Sequence, residues 1–262
     1  MPEPEPGTEI LRETRGHVAI LTINRPDARN AVNAAVAKGL SDAFDAIEAD
    51  KDVWVVVLTG AGDKAFCAGM DLKAFASGEG GGVMGNKNGF AGIARRAFPK
   101  PIIAAVNGFA LAGGLEVVLS CDLVVSVEGA SFGIPEVKRG LIAAGGGLIR
   151  LPKRLPMAVA LELALTGDPI DAQRAFELGL VNRIVPAAAL MDEAMALAER
   201  ITVNAPLAVR RSKAVMYEAA QVPEEAGWKI SEEATRIVFA GPDAREGPIA
   251  FAEKRAPNWQ VE

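Results

Sequence analysis

Four short apolar runs, at residues 53–58, 102–106, 123–127 and 181–185, dictate most of what this chain can fold into. They are too short for helices and rich in β-branched residues, with Asn182 and Arg183 the main polar interruption, so each suits a strand buried on both faces, as in a parallel sheet. Parallel strands need long crossover connections, and helical stretches or long loops do separate these runs. The pattern predicts an α/β domain. Ahead of it, "EILRETRGHVAILTI" alternates apolar and polar residues on either side of Arg15 and Gly16, which predicts a β-hairpin. Val36, Leu40, Phe44 and Ile47 recur at spacings of four, four and three, which predicts an amphipathic helix over 33–49. From about Ala187 the chain reads as helical. The expected division is a tail at 1–7, a core at 8–196 and a helical region at 197–262.

With 50% hydrophobic and 23% charged residues among 262, the chain can bury a sizeable core and lacks the signature of disorder. Its 28 basic residues against 33 acidic ones leave a net charge of −5, which argues against nucleic acid as a partner. Cys67 and Cys121 make no disulfide framework and no metal-binding spacing, so neither a metal nor an oxidising compartment is expected. The start, "MPEPEPGTE", is acidic and proline-rich, unlike a secretory or transit signal, and the expected location is the cytoplasm. The least polar stretch, 102–127, is interrupted by Asn107, Glu116 and Asp122, so it reads as buried core and no membrane partner is expected.

Several features could mislead. Gly60, Ala61 and Gly62 follow a strand, with Ala65 in the third small-residue slot of a dinucleotide fingerprint, but "FCAGMDLK" stands where the phosphate-facing helix should run. His17, the only histidine, sits at the start of a hairpin strand and reads as a structural residue. Cys67 reads as a core filler in an apolar turn, and Tyr217 has no lysine four residues on. The glycine-rich stretch at 77–88 reads as a surface loop or as a lid over a ligand.

Two glutamates carry more information. Glu116 stands in "GFALAGGLEVVLSCD" among apolar helical neighbours, and carboxylates are rarely buried without a reason. Glu136 follows Pro135 in "SFGIPEVKRG", in what reads as the first turn of a short helix, where a dipole-complementing acid is the ordinary interpretation. Together, two carboxyls in apolar, glycine-lined surroundings acquire raised and coupled pKa values, so that one can donate and the other accept a proton. The turns "CAGMD" and "LAGGLE" let backbone N–H groups approach a ligand closely, as an oxyanion hole requires.

The blocks "NRPDARNAVN" (24–33), "AFCAGMDLK" (65–73), "GFALAGGLEVVLSCD" (108–122) and "FGIPEVKRGLIAAGGG" (132–147), taken in order and at their spacing, resemble the crotonase, or enoyl-CoA hydratase/isomerase, superfamily across most of residues 8–260. The resemblance implies a spiral of repeated ββα units with a C-terminal helical region that packs trimers, often paired into hexamers. It implies an acyl-CoA substrate, with coenzyme A part of that substrate and no separate cofactor or metal. The thioester oxygen would be held by the backbone N–H groups of Met70 and Gly113. Ala28, Arg29, Ala68, Asp71 and Leu72 match positions lining the CoA nucleotide, and Phe251 and Lys254 match a segment that reaches a neighbouring subunit's CoA. Phe75, Phe90, Ile93 and the 77–88 segment would shape the acyl pocket.

In hydratases of the superfamily, the glutamate at the Glu116 position activates water and the one at the Glu136 position delivers a proton to the α-carbon. The resemblance therefore implies reversible syn hydration of a 2-enoyl-CoA. Ala143 and Ala144 depart from the Pro and Gly usual in hydratases. A double-bond isomerase or another lyase of the superfamily, a quiet acyl-CoA-binding oligomer and a nicotinamide dehydrogenase are the competing readings.

Overall fold

The computed structural model describes residues 9–84 and 86–260, so the expected tail at 1–7 lies outside the described residues. Strands are labelled in chain order. Ile10–Arg15 (β1) and Val18–Ile23 (β2) form the antiparallel hairpin, turning through Gly16, whose φ of +54° suits a residue without a Cβ. Val55–Gly60 (β3), Ala65–Cys67 (β4), Ile102–Val106 (β5), Phe109–Leu111 (β6), Leu123–Val127 (β7), Ser131–Gly133 (β8), Ile170–Asp171 (β9) and Arg183–Val185 (β10) follow. One sheet has the order β1-β2-β3-β5-β7-β10, and every pairing beyond the hairpin is parallel. Every residue of β3 and β5 is buried, as runs without polar alternation require.

A second, smaller sheet has the order β4-β6-β8-β9. Three successive units each send one strand to the large sheet and the next to the small one: β3 then β4, β5 then β6, β7 then β8. This is the expected repeat of the α/β crotonase fold. The strand β4 corrects the reading of Phe66 and Cys67 as a turn: both are buried in the sheet. No described helix is long and apolar enough to cross a membrane.

Helix α1 (Ala34–Ala49) starts where its sequence dictates. Asn33 accepts a hydrogen bond from Val36 N at 2.9 Å and caps it, while Val36, Leu40, Phe44 and Ile47 are buried. The polar interruptions of the 102–127 stretch each have a structural or chemical use. Asn107 donates to Gly62 O at 2.8 Å and accepts from Gly60 N, tying β3 to the turn that follows it. Asp122 accepts from Ile102 N at 2.7 Å and pairs with Lys213 at 2.7 Å, locking a C-terminal helix onto the sheet. Glu116 belongs to the site described below.

Apart from the short helical pieces between 72 and 84, the α-helices that follow are α2 (Gly113–Val118), α3 (Gly147–Arg154), α4 (Met157–Thr166), α5 (Ala172–Glu177), α6 (Leu190–Thr202), α7 (Pro206–Ala219), α8 (Glu224–Ala240) and α9 (Asp243–Glu253). Helix α6 packs on β3, β5 and β7, with Leu190, Ala194 and Ala198 buried. The expected division between 196 and 197 therefore falls inside one continuous helix, and the sheet-packed layer runs on through Thr202. Helices α7 and α8 pack on each other and α9 packs on α8. These helices leave large apolar side chains in solvent, with Met216 75%, Phe239 76% and Phe251 87% exposed.

Candidate active site

The turn after β4 is held by the loop that precedes α1. Val32 forms a parallel bridge with Met70, donating to Gly69 O at 2.8 Å and accepting from Asp71 N at 2.9 Å. In such a bridge the flanking residues make the bonds, so the N–H of Met70 points away from Val32. On that far side lies the start of α2. A Cβ on Gly69, whose φ is +90°, would stand 2.9 Å from Gly113 N and 2.8 Å from Ala112 Cβ. Glycine is thus what allows the two turns to meet.

Gly113 is the first residue of α2, where a backbone N–H has no partner within the helix. Ala112 before it is held at φ 53° and ψ −129°, a conformation that alanine rarely adopts, and its own N–H donates to Gly133 O at 2.8 Å. The turns that carry the N–H groups of Met70 and Gly113 therefore adjoin. The Phe90 ring packs against the second turn: a Cβ on Gly113 would meet that ring at 2.4 Å.

Three residues after Gly113, Glu116 is only 3% exposed. Its Oε1 accepts from Gly147 N at 2.9 Å, and a Cβ on Gly145 would stand 2.4 Å from Oε2. Burial raises its pKa, while the N–H groups of Gly147 and Gly145 and the charge of Arg150 pull it part of the way back. Glu136 sits in a short helical turn, Pro135–Arg139, as its position after proline predicts. Its Oε2 is buried without a hydrogen-bond partner in the protein. Burial pushes its pKa up to about 7, and the neighbouring charge of Glu116 adds to the rise. One carboxyl is therefore oriented by backbone donors, and the other keeps a proton to neutral pH.

The other expected site residues divide. Ala68 N donates to Arg29 O at 3.0 Å, so Ala28, Arg29, Ala68, Asp71 and Leu72 fall along one surface edge beside the Met70 turn. The Asp71 carboxyl is occupied there: it caps the turn through Lys73 N and Ala74 N and pairs with Arg25 at 3.1 Å. Its burial would raise the pKa, but the Ala74 N–H and the Arg25 guanidinium outweigh that and hold it low. Leu72 and Phe75 are about half exposed, at 45% and 48%. Ile93 and Phe90 are both buried in the core, at 1% and 4% exposure, and of the two it is Phe90 that packs against Gly113. Phe251 and Lys254 lie at the exposed end of α9.

The described residues of 77–88, all but 85, do not form an irregular loop. The segment is helical across Phe75–Glu79 and Gly80–Met84, Val83 is buried, and Asn88 bonds Ser41 of α1 at 3.1 Å. The dinucleotide fingerprint also dissolves, because β4, not a helix, follows Gly60 to Gly62. Gly60 is small for another reason: a Cβ would meet Phe66 O at 2.5 Å and Asn30 Nδ2 at 2.6 Å. His17 stacks on Trp54 at 3.7 Å and bonds Asp52 O. Burial pushes the Cys67 thiol up to about 12. Among the described residues no cluster of His, Cys, Asp and Glu is arranged to hold a metal.

The sequence pattern described as Enoyl-CoA hydratase/isomerase matches residues 13–262. The chain belongs to the enoyl-CoA hydratase/isomerase family. It is 42% identical to Enoyl-CoA hydratase EchA19 of Mycobacterium tuberculosis, over 98% of each chain. It is also 40% identical to Carnitinyl-CoA dehydratase of Proteus mirabilis, over 94% of this chain and 96% of that one. Among solved structures, enoyl-CoA hydratase from Mycobacterium tuberculosis H37Rv superposes with a TM-score of 0.94 at 51% identity, covering 98% of this chain and all 100% of the other.

Family membership accounts for the four motif blocks but not for what braces them. Asn30, fully buried at a φ of +56°, donates to Ala61 O at 2.9 Å and Ala65 O at 2.7 Å and accepts from Arg25 N at 3.0 Å. Its side chain thus joins the loop before α1 to the turn before β4. Asn30→Ala removes the donor to Ala61 O and the acceptor of Arg25 N and leaves Ala65 O with Asn107 Nδ2 at 3.2 Å alone, and should cost about 2–3 kcal/mol. Urea unfolding checks it: a loss under about 1 kcal/mol would mean that other groups replace these bonds.

Proposed function

We propose that the protein is an enoyl-CoA hydratase, adding water reversibly and syn across the double bond of a 2-enoyl-CoA to give a 3-hydroxyacyl-CoA. The pairing of Glu116 in its glycine cradle with Glu136, a carboxyl pushed up to about 7, carries this reading. The Glu116 carboxylate takes a proton from water as the water oxygen bonds the β-carbon. Electron density moves through the former double bond to the thioester oxygen, where the N–H groups of Met70 and Gly113 stabilise it. A single donor of this kind is commonly worth about 3 kcal/mol of barrier. The electron pair returns as the α-carbon takes the proton of Glu136. Proton exchange with solvent then restores both carboxyls. Two carboxyls with raised pKa values favour hydration over double-bond migration, which needs only one working acid.

Coenzyme A enters as part of the substrate, its nucleotide along the edge formed by Ala28, Arg29, Ala68, Asp71 and Leu72, with no further cofactor. The exposed apolar side chains of α7 to α9 support assembly as a homotrimer or a dimer of trimers, in which Phe251 and Lys254 reach a neighbour's CoA. The cytoplasm is the proposed location.

The test is loss of the conjugated-thioester absorbance on mixing crotonyl-CoA with the protein across a pH series. Hydration should give a bell-shaped kcat/KM, with its alkaline limb near pH 7 where Glu136 loses its proton and its acid limb where Glu116 gains one. If crotonyl-CoA and a longer 2-enoyl-CoA both bind unchanged, the hydratase reading fails.

A further inference from the structure

Arg150 lies one turn into α3 and folds its side chain back over the start of that helix. A Cβ on Gly146 would stand 2.3 Å from Arg150 Nη1, so the guanidinium lies against the Gly146 backbone. The residues on either side of Gly146 are those that cradle Glu116. Gly147 N donates to Oε1 at 2.9 Å, and Gly145 packs against Oε2. The other end of the guanidinium leaves the helix: Arg150 Nη2 donates to Ala94 O at 2.5 Å, and Ala94 N in turn donates to Phe90 O at 3.1 Å. Phe90 belongs to both halves of the site, because its ring packs on Gly113 and a Cβ on Gly145 would lie 3.1 Å from its own Cβ. One half-buried side chain therefore spans from the Glu116 cradle to the turn that seats Phe90 over Gly113.

An arginine bound to a loop carbonyl is ordinarily a brace for stability. Here both ends of the span are walls of the site, and the carboxyl that its charge faces is Glu116. The other groups facing the guanidinium are Tyr217 of α7, Arg154 further along α3 and the buried thiol of Cys121. Burial pushes the tyrosine and the thiol up to about 12, so both are neutral where hydration is measured. Glu116 in its turn faces Glu136 as well as Arg150.

We propose that Arg150 is a positioning residue for hydration, holding the glycine cradle of Glu116 in register with the Gly113 turn that Phe90 covers. The inference rests on the hydratase reading and adds to it a residue that acts through Glu116. Its positive charge also favours the ionised form of Glu116, the form that takes a proton from water.

The experiment measures kcat and KM for crotonyl-CoA across a pH series in the native chain, Arg150→Gln and Arg150→Lys. In Arg150→Gln, kcat should fall about tenfold or more while KM stays within about threefold, because the cradle shifts and no binding contact is lost. With the cation gone Glu116 gains its proton at a higher pH, so the acid limb of kcat/KM should move up by about half a pH unit or more. The alkaline limb should hold, because the cation facing Glu136 is Arg139. Arg150→Lys keeps the charge, but one ammonium cannot both reach Ala94 O and cover Gly146. It should restore the acid limb while kcat stays at least about threefold below native. A kcat within about twofold of native in Arg150→Gln overturns the proposal. So does a fall in kcat with the acid limb unmoved, which is what losing a stability brace alone would give. If Arg150→Gln does not fold, Arg150→Lys decides by itself, and a native kcat there overturns the proposal. Failure is distinguishable at the two levels: a native chain that hydrates crotonyl-CoA with both variants unchanged loses only the role of Arg150, whereas a native chain that hydrates no 2-enoyl-CoA loses the hydratase reading and this inference with it.

Discussion

Glu136→Gln should lower kcat for hydration by about a thousandfold while leaving the affinity for a saturated acyl-CoA within about threefold of the native value. The amide keeps the volume of the carboxyl and its place in the Pro135–Arg139 turn, but it has no proton to give the α-carbon. Stopped-flow absorbance gives the first quantity and calorimetric titration the second. An equal fall in both would make Glu136 a binding residue and remove it from the proton transfer.

The same variant carries an opposite signature in stability. The Glu136 carboxyl holds its proton to about pH 7 in the folded protein, against 4.5 for an ordinary glutamate. Between those values the folded chain binds more protons than the unfolded one, so stability is full below about 4.5 and is lost as pH rises through 7. Removing the carboxyl removes that loss. Glu136→Gln should therefore be more stable than the native chain at pH 8 by on the order of 1 kcal/mol, a figure discounted because the carboxyl is partly exposed. The two should match near pH 4.5. Thermal melts at the two pH values decide it, and a variant equally stable or less stable at pH 8 would mean that Glu136 is not held under electrostatic strain.

The parts of this protein that were legible in its sequence are those fixed by local pattern. The strands β5 and β7 stand where their runs begin and end, because a strand buried on both faces admits few polar residues, here only Ser126, whose hydroxyl bonds Val127 O. The small sheet had no such signal. With β4, β6 and β8 only three residues long, a strand is set by its neighbours and not by its own periodicity. Glu116 and Glu136 stood out because acids in apolar blocks need a reason. Ile93 and Phe90, three residues apart, are both buried in the core, yet only Phe90 packs against Gly113, and the backbone between them is irregular at Ala91, at a φ of 54°. The glycines of 77–88 suggested a loop, but the anchors Val83 and Asn88 act across a distance of about forty residues in sequence on α1.

The cradle of Glu116 is the other feature that no single residue announces, and Gly145→Ala tests it. Gly145 lies outside the left-handed region, so alanine there brings no backbone strain and acts by contact alone. Its Cβ would stand 2.4 Å from Glu116 Oε2, 2.9 Å from Cδ and 3.1 Å from Phe90 Cβ. The carboxylate is the movable partner, but at 3% exposure it has nowhere to retreat except toward the space where water and the β-carbon must meet. A displacement of about 1 Å in a catalytic group commonly costs on the order of a hundredfold in rate, and kcat should fall by about that much. Overpacking should also cost about 1–3 kcal/mol of stability, too little to unfold a domain of this size. Gly129→Ala, where a Cβ meets nothing within 4 Å, is the control for changes unrelated to the site. Should Gly145→Ala hydrate crotonyl-CoA within threefold of the native rate, the orientation of Glu116 would not be what sets the barrier, and Glu136 with the two backbone N–H groups would have to supply the catalysis alone.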